Sequence, residues 1–467
     1  MRLSRPRQSV AFAALGSGMF AGCVYYNTLY NAEDLYREAE NLRLNGQDSA
    51  VSARYKEVIA KATEGYRSDE QGGWADDALL LVAKAQFRLG ANAEASRALE
   101  RVLEISGDAD VRAQAALYQG VIAIAEGETA LGTQLLDRAM EDVQEPSDRA
   151  EGHLWLARGF FERGMAPEGW RELDEAANTS SAYFVVANLE RIAWGFALPD
   201  LTRIHQGIQA LIFTSRAEVH GDSIRSLAQR FSERWGAGSA DVLLANAEDA
   251  RWSREERDRL LMKRAGFAHE AGDLAQAEQD ASRVASGVGD QAAAARVKLA
   301  RWRLAEVRQV DELAQLRSVL LPAVTYDEAQ ALLNAMRRLE LLTEYALEGE
   351  PVALIGAAEI ARDVLGAGQL SAGLFQAYAA FAPNGRWTGK ALLASRALTT
   401  DPVAWKQLDR RLEALAPDAY VRYAQKGHGE AELGELESGL QEALDPLVAR
   451  VDEELEARRQ LAGLPKK

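Results

Sequence analysis

Cysteine is nearly absent from this 467-residue chain: Cys23 stands alone, so neither an intrachain disulfide nor a cysteine-rich zinc site can form. Proline is scarce, with 11 residues, and histidine scarcer, with five. Alternating apolar and polar runs are missing, while Ala, Leu, Arg and Glu dominate, so helices are expected and strands are not. No apolar stretch reaches the roughly 20 residues that a bilayer-crossing helix takes. Positive charge is short as well. Lys and Arg number 54 against 70 Asp and Glu, a net charge of −16, and such a surface repels nucleic-acid phosphates and anionic lipid alike.

The familiar catalytic signatures are missing too. No G-x-x-x-x-G-K-[ST] loop and no G-x-S-x-G elbow occurs, and no strand precedes the glycine pairs 236/238 and 366/368, which read as helix breaks. His153, His205, His220, His269 and His428 are scattered. His269-Glu270 lacks the second histidine that a helix-borne zinc protease carries four residues on. Asp76-Asp77 opens a helix, where two acids complement the helix dipole. An enzyme is therefore not expected, and neither is a cofactor or a metal.

What is present is periodic. Hydrophobic residues make up 48% and charged residues 27%, a foldable composition in a chain too long for one ordinary core. From Trp74 to Ile105 two apolar helical runs flank a Gly-centred break. Ala83, Gly90, Ala95 and Val102 are the small residues, and Leu79, Phe87 and Leu99 supply bulk. Gly120, Gly127, Gly132, Leu136 and Ala139 repeat the spacing, as do Ala157, Gly164, Gly169, Leu173 and Ala176. The turn glycines recur every 37 residues. The pattern fades over 181–253, where Pro199 is expected to start a helix and Gly236-Ala237-Gly238 to break one, and returns at Ala265, Gly272, Ala277 and Val284. This spacing resembles the tetratricopeptide family, whose repeat is roughly 34 residues. The resemblance implies an all-α fold, an α-solenoid of tetratricopeptide-like helical hairpins.

The first residues carry a different signal. Arg2, Arg5 and Arg7 precede an apolar run from Val10 to Phe20, which reads as a signal peptide. Phe20-Ala21-Gly22-Cys23 resembles the lipobox of bacterial lipoproteins, which implies acylation of Cys23 as the first mature residue. Three acyl chains would hold a protein stably on a membrane. Val24 stands where an Asp would signal inner-membrane retention, so the resemblance implies the periplasmic face of the outer membrane. Tyr26 to Ala32 and the D-D-A-L of Asp76 to Leu79 are similar to segments of tetratricopeptide lipoproteins of Gram-negative bacteria. There is also a distant likeness to the tetratricopeptide lipoprotein of the β-barrel assembly machine. Asn31 is expected to cap the first helix, with Tyr25, Tyr26 and Tyr30 either at headgroup level or packed on the first repeat.

The chain thus divides into a signal peptide (1–22), an acylated tether running into a helix (23–38), an N-terminal array (39–180), an off-register helical connector (181–253), a second array (254–321), degenerate helical repeats (322–429) and a C-terminal amphipathic helix and tail (430–467). Leu433, Leu436, Leu440, Leu444, Leu447, Val451 and Leu455 mark the last helix, expected to cap the solenoid, with Pro446 as a point where it can kink. In the tetratricopeptide family the first helix of each hairpin lines a groove. Register places Lys84, Phe87, Arg88, Val121, Ile124, Arg158, Phe161 and Glu162 there, with Gly266, His269 and Glu270 further on. Basic and aromatic residues in a groove suit an extended protein segment bearing carboxylates and apolar anchors. The expected function is a non-enzymatic, membrane-anchored scaffold for a periplasmic protein partner, in envelope or outer-membrane biogenesis. The alternatives are a peptidoglycan-acting enzyme or activator, marked by paired carboxylates across a cleft, and a ligand-binding lipoprotein of a transport system, marked by a closed pocket.

Overall fold

The computed structural model describes the backbone of residues 12–46, 48–415, 418–426 and 430–461, and among these there are helices and no strands. The helices pair with their sequence neighbours into antiparallel hairpins, and the chain divides into two compact units, Met1–Leu260 and Leu261–Lys467.

In the first unit the pairs are α1 (Phe12–Leu44) with α2 (Asp48–Ser68), α3 (Ala75–Arg88) with α4 (Asn92–Ile105), α5 (Ala109–Ala125) with α6 (Thr129–Ala139), α7 (Pro146–Glu162) with α8 (Ala166–Thr179), and α9 (Phe184–Ala197) with α10 (Leu201–Ile212). The shorter pair α11 (Gly221–Trp235) and α12 (Ala237–Leu243) follows, and α13 (Arg254–Glu270) leads into the second unit. There α13 precedes α14 (Leu274–Ala285). The pairs α15 (Asp290–Leu304) with α16 (Leu313–Leu320), α17 (Asp327–Leu347) with α18 (Ala353–Asp363), and α19 (Gly368–Phe381) with α20 (Thr388–Leu398) come next. The chain closes with α21 (Pro402–Ala414), α22 (Ala419–Lys426) and α23 (Glu430–Leu461).

The 37-residue recurrence has a backbone cause. Gly90, Gly127 and Gly164 sit at φ of 76, 87 and 74°, the left-handed region that glycine enters without a Cβ penalty. After each, the next amide donates back to a carbonyl of the helix just ended: Ala91 to Gln86, Glu128 to Ala123 and Met165 to Phe160. Gly272 repeats the closure, with Asp273 donating to Ala268. Where two helices cross, glycine serves another purpose. A Cβ on Gly132 would lie 2.5 Å from Ile124 Cγ1 and 2.8 Å from the Gly120 carbonyl, so α5 and α6 meet backbone to backbone. Neighbouring hairpins share their cores. Leu99, Leu117 and Leu136, from three successive helices, share one fully buried cluster. Each unit is an α-solenoid of tetratricopeptide-like hairpins.

Three expectations are corrected. Asn31 is interior to α1 rather than its cap, because a buried stripe of Leu29, Ala32 and Ala39 continues through it; the 38/39 division likewise falls inside a helix. Within 181–253, α9 and α10 form a hairpin of the common kind, in which a Cβ on Gly195 or Gly207 would lie 2.6 Å from the facing Ile204 or Ile192. Pro199 does not begin α10, which starts at Leu201 with the Asp200 carboxylate accepting from the Arg203 amide at 3.1 Å. Third, α23 is a single helix containing Pro446, but it does more than cover the last hairpin: it packs on α22, α18 and α17.

Candidate protein-interaction faces

In the first unit, successive inner helices bring a row of charged and hydroxyl groups into the interior. Arg88 of α3 lies between two carboxylates. Its Nε donates to Glu40 Oε1 of α1 at 2.7 Å, and its Nη1 to Glu151 Oε1 of α7 at 2.5 Å. Glu151 Oε2 also accepts from the hydroxyls of Tyr118 and Tyr183, both at 2.9 Å. Glu40 accepts from Tyr55 and, at 2.6 Å, from Arg43. Burial alone would raise both carboxyl groups, yet Arg88 and Arg43 overcome it: Glu40 is pulled down to about 2 and Glu151 well below the usual range. Burial, and then the Glu151 charge, push the Tyr118 and Tyr183 hydroxyls up. One helical turn before Arg88, Lys84 donates to Gln114 at 2.7 Å and pairs with Asp148 at 3.1 Å.

These contacts correct the expectation of an open groove here. Lys84 and Arg88 do face inward from α3, but the chain supplies their carboxylates itself, and both side chains are buried. Phe87 is wedged edge-on between Tyr118 and Trp155, at ring separations of 6.1 and 5.7 Å. Val121 and Ile124 are core residues, occluded by the next hairpin. Phe161 is buried between Trp170 and Trp194, 4.6 Å from each. Arg158 remains half-buried, its guanidinium 4.3 Å above Trp155 and its Nε 2.9 Å from Glu190 Oε1, while Glu162 is exposed.

The carboxylates are what sequence reasoning missed, and the signal was available. Asp148 and Glu151 stand one turn apart on α7, as Lys84 and Arg88 do on α3, so two acids face two bases in matching register. Glu40 carried no such mark.

The second unit presents a different face. His269 of α13 stacks on Trp302 of α15 at 4.5 Å and 9°. The Lys298 ammonium stands 5.4 Å above Trp302, and that of Lys263 stands 5.0 Å above Phe267. Gly266 makes room, since a Cβ there would sit 3.3 Å from Lys298 Nζ. Burial and the neighbouring Lys263 pull the Lys298 ammonium down. Lys298, His269 and Trp302 are half-buried, and Glu270 is exposed. Among the described residues no carboxylate pairs with Lys298. Apolar rings with ammonium groups above them can hold a segment that brings both an aliphatic anchor and a negative charge.

The converging carboxylates, Glu40 and Glu151, are held ionised around a guanidinium, where a general acid needs a raised pKa. Among the described residues, no three His, Cys, Asp or Glu side chains converge as metal ligands, and no helix is long and apolar enough to cross a membrane.

No family model matches the chain, and no curated protein matches it by sequence. Among solved structures, the TPR domain of P58(IPK) is 13% identical, covering 79% of this chain and 98% of that one, with a TM-score of 0.20. The complex Naa15/Naa10 bound to HypK-THB is 12% identical, covering 92% of this chain and 65% of that one, with a TM-score of 0.25.

Proposed function

We propose that this chain is a non-enzymatic scaffold, anchored by an acylated Cys23 at the periplasmic face of the outer membrane, that binds a protein partner in envelope or outer-membrane biogenesis. The observation that carries the binding role is the contrast between the two faces. In the first unit basic inner-face residues are neutralised within the chain, whereas in the second the half-buried Lys298, beside His269 and Trp302, has no carboxylate partner among the described residues. The partner is a segment with acidic and apolar side chains, which complement the ammonium groups and rings of that face. Anchoring rests on the lipobox likeness of residues 20–23 alone, and the Cys23 side chain lies outside the described residues. On a helical rise of ~1.5 Å per residue, Cys23 in α1 precedes the buried Leu29 by about 9 Å, which keeps the array near the lipid.

The test is a paired affinity capture from detergent-solubilised membranes with the wild-type chain and a His269→Ala/Trp302→Ala variant. The reading requires a protein recovered with the wild type and lost with the variant. Recovery of the same proteins by both would overturn it. Labelled palmitate on the wild type and none on Cys23→Ser is the matching result for the anchor.

A further inference from the structure

The C-terminal helix α23 is seated on the second unit in a way unlike the paired helices. It is 32 residues long, yet among its described residues only Leu440, Leu444, Leu447 and Val451 are buried, whereas α17 buries ten residues in 21. Beneath its C-terminal part lies a cavity of about 510 Å³, with Ala335, Ile360 and Val364 on one side and Asp452, Leu455 and Glu456 on the other. Pro446 falls between the buried leucines and removes an intrahelical hydrogen bond at that point.

The seat is also one of opposite charge. The helix carries ten acidic and three basic residues, and its acids meet bases of the array. Lys390 pairs with Glu437 at 2.7 Å, Arg338 with Asp452 at 2.7 Å and Arg422 with Glu432 at 3.0 Å. The Tyr345 hydroxyl donates to Glu454 at 2.8 Å. These contacts are partly solvated, so each contributes little and salt weakens them. The apolar fit is specific: Leu444 packs on Gly356, where a Cβ would stand 3.2 Å from Leu444 Cδ2.

Taking the scaffold reading as its premise, we infer that the face of α17, α18 and α20 beneath α23 is a second docking site. Its ligand is an acidic amphipathic helix with aliphatic residues at the spacing of Leu440, Leu444, Leu447 and Val451. The chain's own α23 is the resident occupant, and a partner helix of the same chemistry displaces it. Incomplete packing, an internal proline and a solvated rim of ion pairs make the resident helix the weak competitor that such an exchange requires.

A fluorescent peptide of residues 430–461 is titrated with the full-length wild type and with full-length Leu444→Asp, which unseats the resident helix in cis. The variant binds the peptide at least ten-fold more tightly than the wild type, and 1 M salt reduces that binding. Glu437→Lys/Asp452→Lys, which reverses the rim without touching the core, gives the same ordering should Leu444→Asp fail to fold. Equal peptide affinity for wild type and a folded variant would overturn the inference. So would equal binding of a peptide whose acids are replaced by glutamine. Because no cellular partner enters this assay, its failure leaves the scaffold reading standing.

Discussion

Arg88 and Glu151, 63 residues apart in sequence, meet inside the first unit with Nη1 and Oε1 2.5 Å apart, both side chains almost wholly removed from water. The guanidinium is shared with Glu40 of the first helix, so one cation ties three hairpins together.

Removing Glu151 leaves the buried guanidinium with Glu40 alone, and breaking a buried pair from one side costs up to about 3–5 kcal/mol. Glu151→Gln is therefore expected to lower the melting temperature by on the order of 10 °C, given roughly 2–4 °C per kcal/mol for a unit of this size. Arg88→Met/Glu151→Leu, which removes both charges, should recover most of the loss. Calorimetry on the two variants checks this, and equal losses in both would mean that the pair itself is the source of stability.

Acid should act through the same residues. Glu40 titrates at about 2 in the folded chain against 4.5 as a free side chain. A lowered carboxylate contributes stability that is complete above about pH 4.5 and is lost as pH falls through the folded value. Asp77 has the opposite sign. Burial and then Asp76 raise it from 3.8 to about 6, so it destabilises the fold above pH 6, and the penalty disappears as pH falls from 6 towards 4. Denaturant midpoints are expected to rise slightly from pH 7 to 5 and fall steeply below 4. Glu40→Gln flattens the acid limb and Asp77→Asn the neutral one.

Glycines of the two kinds should respond differently to alanine. Gly132→Ala drives a Cβ into Ile124 and the Gly120 carbonyl, an overpacking cost of about 1–3 kcal/mol with the added effect of prising α5 from α6. Gly90→Ala meets nothing within 4 Å and bears only the left-handed backbone strain, about 1–2 kcal/mol. Urea unfolding of both should rank Gly132→Ala as the more damaging.

The hairpins were legible wherever a turn glycine marked the period. Gly90, Gly127, Gly164 and Gly272 announce their turns because a left-handed φ leaves few other choices. The α9–α10 pair went unread because its turn uses Leu198-Pro199-Asp200, although Gly195 and Gly207 mark its crossing as Gly120 and Gly132 mark theirs. In the first unit, register alone could not say what Lys84, Phe87 and Arg88 would meet. That depends on how closely successive hairpins approach, and Glu40 reaches Arg88 only because α1 is packed there. His269 was readable as an inner-face position, but its stacking on Trp302 was not.

At the second face, Trp302→Ala should change stability little, because Trp302 and its neighbours Lys298 and His269 are all only half-buried. A melting temperature within a few degrees of wild type, measured by circular dichroism, is the expected outcome. A large loss would make Trp302 a core residue and remove it from any binding role.

The most direct measurement is photocrosslinking in living cells from an unnatural side chain placed at position 302, with one at the buried position 121 for comparison. A discrete crosslinked protein from 302, absent from 121, is the expected result. No crosslink from 302 under conditions in which the full-length chain is folded and abundant would contradict a partner-binding role for that face.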